Sequence, residues 1–178
     1  AGSVLLLLNP FTLTTGALGS TDFAGVIAGS GGLAKAGSSR FTLSQDNTYT
    51  GLTSVLGGTL DVSGTLQSTE LTVQAGSLAL AAADRLADPA RVSVAAGAQL
   101  TLSGDDTISS LALSGTLAGS GTLSAGGVTL DSGTVLANLG GGTLSAIGNS
   151  TLSGTSAAST VAVQAGVLTL ASGQRLSA

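Results

Sequence analysis

A short pattern keeps returning along the chain: Val or Leu, two residues, Gly, one residue, then alternating apolar positions. It is complete at Val55-x-x-Gly58-x-Leu60-x-Val62, at Val73-x-x-Gly76-x-Leu78-x-Leu80 and at Val163-x-x-Gly166-x-Leu168-x-Leu170. Looser copies stand at Val94/Gly97/Leu100/Leu102, at Leu113/Gly115/Leu117 and at Leu130/Gly133/Val135. From Val55 the leading residue steps to Val73, Val94, Leu113 and Leu130, at intervals of 18, 21, 19 and 17 residues. A near-constant step of this size marks a repeat architecture, in which no single unit can bury its apolar row alone.

The alternation in Leu78-Ala79-Leu80 and Leu100-Thr101-Leu102 has the period of a strand with one face in and one face out. Glycine between two such strands supplies a corner free of Cβ hindrance. Two or three strands of three to five residues joined by Gly/Ser corners make one rung of a parallel β-helix. Stacked rungs turn the Leu rows into a continuous aliphatic core, and at about twenty residues per rung the chain holds roughly eight or nine. A β-sandwich would also show short strands at close spacing. It would carry core aromatics and Asn-Gly or Asp-Gly hairpin signals; aromatics here are 2% and neither dipeptide occurs.

Composition narrows the function classes. The chain has 178 residues, 43% hydrophobic, with 28 glycines and only 8% charged residues. Leu or Val recurs every few residues throughout, unlike a disordered chain. Five basic residues, Lys35, Arg40, Arg85, Arg91 and Arg175, are scattered singly against nine acidic ones, for a net charge of −4. No positive stripe exists to neutralise a phosphate backbone, so nucleic acid is not an expected partner. Solubility rests on Ser, Thr and Asn, which leaves the surface open to self-association. Cysteine is absent, which excludes disulfides and thiolate metal sites. The apolar run Val4–Leu8 falls far short of the ~20 residues that span a bilayer, and no basic segment precedes it. The chain reads as an internal or mature segment of something larger, with any targeting signal or anchor elsewhere.

A longer echo overlies the short period. Val73-Gln74-Ala75-Gly76-x-Leu78-x-Leu80-Ala81 returns as Val163-Gln164-Ala165-Gly166-x-Leu168-x-Leu170-Ala171, and Arg85-Leu86 as Arg175-Leu176, so 71–88 and 161–178 read as related repeat starts. A helix of one to two turns is predicted at 81–87, where Ala81-Ala82-Ala83-Asp84-Arg85-Leu86-Ala87 has good helix propensity and Asp88-Pro89 closes it.

Residues 23–63 carry a more specific signal. Phe23-Ala24-Gly25-Val26-Ile27 leads into Gly29-Ser30-Gly31-Gly32, then Asp46-Asn47-Thr48-Tyr49-Thr50-Gly51, then Gly58-Thr59-Leu60-Asp61-Val62. This stretch resembles the autotransporter-associated β-strand repeat, departing from it at Leu52, where a second Gly often stands. The run 104–117, Gly-Asp-Asp-Thr-Ile-Ser-Ser-Leu-x-Leu-Ser-Gly-Thr-Leu, resembles degenerate repeats of filamentous-haemagglutinin-like and autotransporter passenger proteins. The resemblance implies an all-β, right-handed parallel β-helix spanning 1–178 as a single solenoid segment. It also implies the outer surface of a Gram-negative bacterium, with a role as adhesin, stalk or matrix fibre.

Candidate chemistry is sparse. Asp105-Asp106 superficially resembles the paired aspartates of polygalacturonases, but that family adds a histidine and a basic motif, and histidine is absent here. The bland account is a solvated corner with one carboxylate capping backbone amides. Asp61 and Asp131 are expected on outward strand positions, within reach of each other across rungs. Without His or Cys, a Ser–Lys pair through Lys35 is the only conventional nucleophile arrangement; its place in the repeat lead-in argues for a structural role. The Gly-Gly-x-Gly-x-Asp calcium motif is missing, Gly140-Gly141-Gly142-Thr143 having the glycines without the aspartate, and no phosphate-cradling Gly-Lys-Ser/Thr loop occurs. Asn47 is expected to bond the corner backbone, with Tyr49 over the rung edge, where one ring makes a poor glycan platform. Thr12-Leu13-Thr14 has the form of an ice-binding array that later rungs do not continue. No catalytic, cofactor-binding or metal-binding residue is therefore expected. The expected partners are adjacent repeats, an end-to-end copy, or a host-cell or glycan surface, with polysaccharide binding or cleavage as the rival activity.

Overall fold

In the computed structural model, which describes residues 5–16, 19–171 and 176, the chain is all β. The first turns hold β1 (Leu5–Leu7), β2 (Leu13–Thr15), β3 (Thr21–Phe23), β4 (Val26–Ala28), β5 (Leu33–Lys35), β6 (Arg40–Leu43) and β7 (Thr53–Val55). The middle holds β8 (Thr59–Val62), β9 (Glu70–Val73), β10 (Ser77–Leu80), β11 (Arg91–Val94), β12 (Gln99–Leu102), β13 (Asp106–Leu113) and β14 (Thr116–Gly119). Then come β15 (Thr122–Leu130), β16 (Thr134–Val135), β17 (Asn138–Leu139), β18 (Thr143–Ala146), β19 (Ser150–Leu152), β20 (Thr160–Val163) and β21 (Leu168–Leu170).

Every strand pairing is parallel, and each joins a strand to its counterpart one turn away. One face stacks β2-β5-β7-β9-β11-β13-β15-β18-β20 and a second stacks β3-β6-β8-β10-β12-β14-β16-β19-β21. The third face is thinner. It starts with the β1–β4 pair, continues through single bridges from Asn47 to Leu66 to Leu86, and resumes in the first halves of β13 and β15. From β17 it passes by single bridges from Leu139 to Ser156 to Leu176. The chain visits the three faces in turn, giving a parallel β-solenoid of about nine turns, as the repeat predicts.

Register explains the core. On the second face Leu60, Leu78, Leu100, Leu117 and Val135 lie in one column, and all are fully buried. Val55, Val73, Val94, Leu113 and Leu130 form the matching column on the first face. Those are the leading residues of the sequence repeat, so its irregular step is the length of each turn. Each buried Leu is worth about 1.5–3 kcal/mol relative to exposure, and a column pools that gain across turns that could not fold singly.

The repeat glycine makes the corner in the exact copies. Gly58, Gly76 and Gly166 adopt φ of +64°, +77° and +71°, a region that a side chain resists. In the looser copies Gly115 and Gly133 lack positive φ; a Cβ there would instead collide with the Ala98 or Leu113 carbonyl one turn below.

The helix predicted at 81–87 does not form. Asp84 adopts φ +55°, and Leu86 bridges Leu66. The carbonyl of Arg85 accepts from Leu66 N at 2.8 Å, and the amide of Asp84 donates to Asp105 O at 3.0 Å. These backbone groups are taken by neighbouring turns, and seven residues with only Leu86 and Ala87 buried cannot repay helix nucleation. Within the echo, β20 and β21 lie on the same two faces as β9 and β10; Arg175 lies outside the described residues.

Candidate functional site

The chemistry-bearing side chains gather at the corners. Where the second face turns into the third, Asp46-Asn47 and Asp105-Asp106 occupy equivalent positions and act as brackets. The first residue of each pair reaches forward: Asp46 Oδ1 accepts the amide of Thr65 at 3.0 Å and Asp105 Oδ1 that of Thr122 at 2.7 Å. The second reaches back. Asn47 Oδ1 accepts from Ile27 N at 2.9 Å, and Asp106 Oδ2 accepts from Arg85 N at 2.9 Å and Leu86 N at 3.2 Å. Where the third face lacks full strands, side chains thus take over the ladder that backbone amides require.

Sequence reading anticipated the capping but not the burial. Asp106 is 2% exposed, so it is no solvated corner, and burial raises its carboxyl above the ordinary value against the opposing pull of the amide bonds. Asn138 and Asn149, which the sequence did not single out, repeat the forward cap on Thr155 and Val167 at 3.1 and 3.0 Å. Their only signal was an Asx residue about one period before the amide it holds.

Lys35 is fully buried at an inward position, in register with Val55 and Val73. Its stem fills the core and its Nζ emerges at the glycine corner, donating to the carbonyls of Ala36 at 2.8 Å, Gly57 at 3.0 Å and Gly37 at 3.2 Å. Desolvation lowers its pKa. The three acceptors are all backbone carbonyls, so Lys35 is a structural staple rather than the base of a Ser–Lys pair.

Tyr49 does not cover a rung edge: it is fully buried, with its hydroxyl 2.8 Å from Thr53 Oγ1, and burial raises the phenol above its usual range. No ligand can stack on it there. Asp61 and Asp131 are not brought together. Asp61 lies outward on β8 but is covered by Arg40, whose guanidinium pairs with it, while Asp131 sits exposed at the bend after β15, several turns away. The Thr12-Leu13-Thr14 pattern lapses at once, Thr14 pairing with Ala34 and then Ser54.

Two shallow depressions mark the outer wall, each about 280 Å³. One crosses β9, β11, β13 and β15 over Thr72, Ser93, Ala112 and Gly127, with Glu70 and Arg91 4.0 Å apart at one end. Glu70 is the single carboxylate lining it, whereas glycoside cleavage needs two. The other lies over Ile108, Ala125, Gly126 and Gly141 and contains no titratable side chain. Among the described residues no group of three or more His, Cys, Asp or Glu side chains could hold a metal ion, and no helix is long and apolar enough to cross a membrane.

No curated protein and no solved structure matches the chain. Residues 33–62, the turns that hold the Lys35 staple, the Asp46-Asn47 bracket and Tyr49, match the family described as the passenger-associated-transport-repeat, a repeat typical of autotransporter passenger domains.

Proposed function

We propose that this solenoid is a rigid shaft of a secreted, surface-displayed bacterial passenger, and that its contribution to adhesion or matrix formation is geometric. The observation that carries the reading is the joining of a passenger-associated repeat at 33–62 to a stack of about nine turns in unbroken register. At about 4.8 Å per turn the stack is roughly 40–45 Å long, and Asp46, Asp105, Asn138 and Asn149 bond the backbone of the following turn. Parallel strands pair turn upon turn along the axis of the stack, and the same pairing would join a further turn or another copy. The partners this favours are neighbouring repeats or an end-to-end copy.

Electron microscopy and small-angle scattering of the purified chain test the reading. Stiff rods, or fibres that form without added cations, support it, as does display at the surface of cells expressing it as a passenger. A compact or flexible particle, or release of reducing ends from a polysaccharide by the purified chain, overturns it in favour of a catalytic or loosely folded module.

A further inference from the structure

On the third face, the amides of Arg85 and Leu86 both go to Asp106 Oδ2 rather than to a backbone carbonyl of the next turn. One carboxyl group therefore ties the turn of Leu86 to the start of β13. Its other oxygen, Oδ1, is buried with no hydrogen-bond partner.

Asn47 shows what the position asks for. On the same face it accepts the amide of the turn below through Oδ1, and its Nδ2 donates to the carbonyl of Gln45, two residues earlier. An amide side chain has one accepting and one donating end, whereas a carboxylate has two accepting ends. Asp106 can reproduce the pattern only with a proton on Oδ1, the residue two positions earlier being Gly104.

The surrounding charges favour that proton. Asp84, on the turn below, adds a like charge. The guanidinium of Arg85 is turned to the carbonyls of Ala83 and Ser63, at 2.7 and 2.8 Å, and Asp105 is exposed with Oδ1 engaged by Thr122. Neither ion pair found among the described residues includes Asp106.

We propose that Asp106 makes this junction a pH-responsive latch, closed when its carboxyl carries a proton and loosened when the carboxyl ionises. Burial raises the folded-state value above the free one, 3.8. The folded chain then holds the proton to higher pH than the unfolded chain does. The stabilisation is complete below the free value and is lost as pH climbs through the raised one.

The test follows the carboxyl carbon of Asp106 by NMR while amide exchange at Arg85 and Leu86 is measured from about pH 3.5 to about pH 7. In the wild-type chain Asp106 titrates above the ordinary aspartate value. Protection of both amides, corrected for intrinsic exchange, falls about tenfold for each unit of that elevation. Asp106→Asn removes the pH dependence and raises protection at neutral pH, because it installs the Asn47 arrangement; Asp105→Asn leaves the response intact. An Asp106 that titrates at or below the ordinary value, protection that is flat or rises with pH, or an Asp106→Asn chain with wild-type pH dependence each overturns the latch. Should Asp106→Asn not fold, the two wild-type measurements decide alone.

Discussion

Lys35 shows how a solenoid accommodates a charge at a place built for a hydrocarbon. The inward column it shares with Val55 and Val73 leads to a glycine corner, and four methylenes are the length needed to bring the ammonium out to three carbonyls there. Packing of the stem should outweigh the hydrogen bonds, whose net worth is small because they replace bonds to water in the unfolded chain. Lys35→Ala is expected to lose about 2–4 kcal/mol, as for truncation of a buried aliphatic chain, and Lys35→Met to recover most of it; chemical denaturation of the three chains measures the difference. A Met variant as unstable as the Ala variant would move the weight to the hydrogen bonds. The lowered pKa adds a pH signature. The unfolded chain keeps its proton to higher pH than the folded one, so Lys35 costs stability at neutral pH. That cost shrinks as pH rises from the lowered value towards 10.5. Lys35→Met removes this rise, which stability curves measured up to pH 10.5 will show.

At the scale of the element, the corner governs whether two strands of one turn can follow the stack. Gly76 has φ +77°, and a Cβ there would press into the carbonyl of Gly58 in the turn below, so Gly76→Ala meets backbone strain and a backbone obstacle together. A loss of roughly 2–4 kcal/mol is expected, read by thermal and denaturant unfolding. Gly97→Ala is the control: it shares a positive φ of +79° but has open space, and should lose less. Strands and corners were legible in the sequence because both obey local rules, alternation for the Leu rows and positive φ for Gly58, Gly76 and Gly166. Segment 81–87 was not. Its alanines satisfy helix propensity, and only the neighbouring turns, through Leu66, Asp105 and Asp106, claim its backbone. The burial of Lys35, Tyr49 and Asp106 was hidden for a related reason. Whether a polar residue points in or out depends on which turn it stacks beneath, and a period that wanders between 17 and 21 residues does not fix that for a single side chain.

For the whole molecule, the register makes each turn a replaceable unit. Thr59 pairs with Ser77 at an offset of 18 residues, so deleting 59–76 joins Gly58 directly to the strand that lay one turn further on. The columns then close over the gap: Phe41 meets Leu78 and Leu43 meets Leu80 on the second face, Val55 meets Val94 on the first, and Asn47 meets Leu86 on the third. The specific losses include the Asp61 partner of Arg40, the Glu70 partner of Arg91 and the Thr65 amide held by Asp46. Stability in such a stack is a sum of turns and of contacts between adjacent turns, so the shortened chain is expected to keep its β circular dichroism signal and cooperative unfolding. Its rod should be shorter by one strand spacing, about 4.8 Å, in small-angle scattering. Deleting only 59–67 removes β8 and forces β7 to run into β9, two strands of the same face, with no path across the other two. That chain should lose its β signal or aggregate, although half as many residues are missing. If the two deletions prove equally damaging, the turns are not independent units, and a shaft whose length is set by counting turns would have to be abandoned.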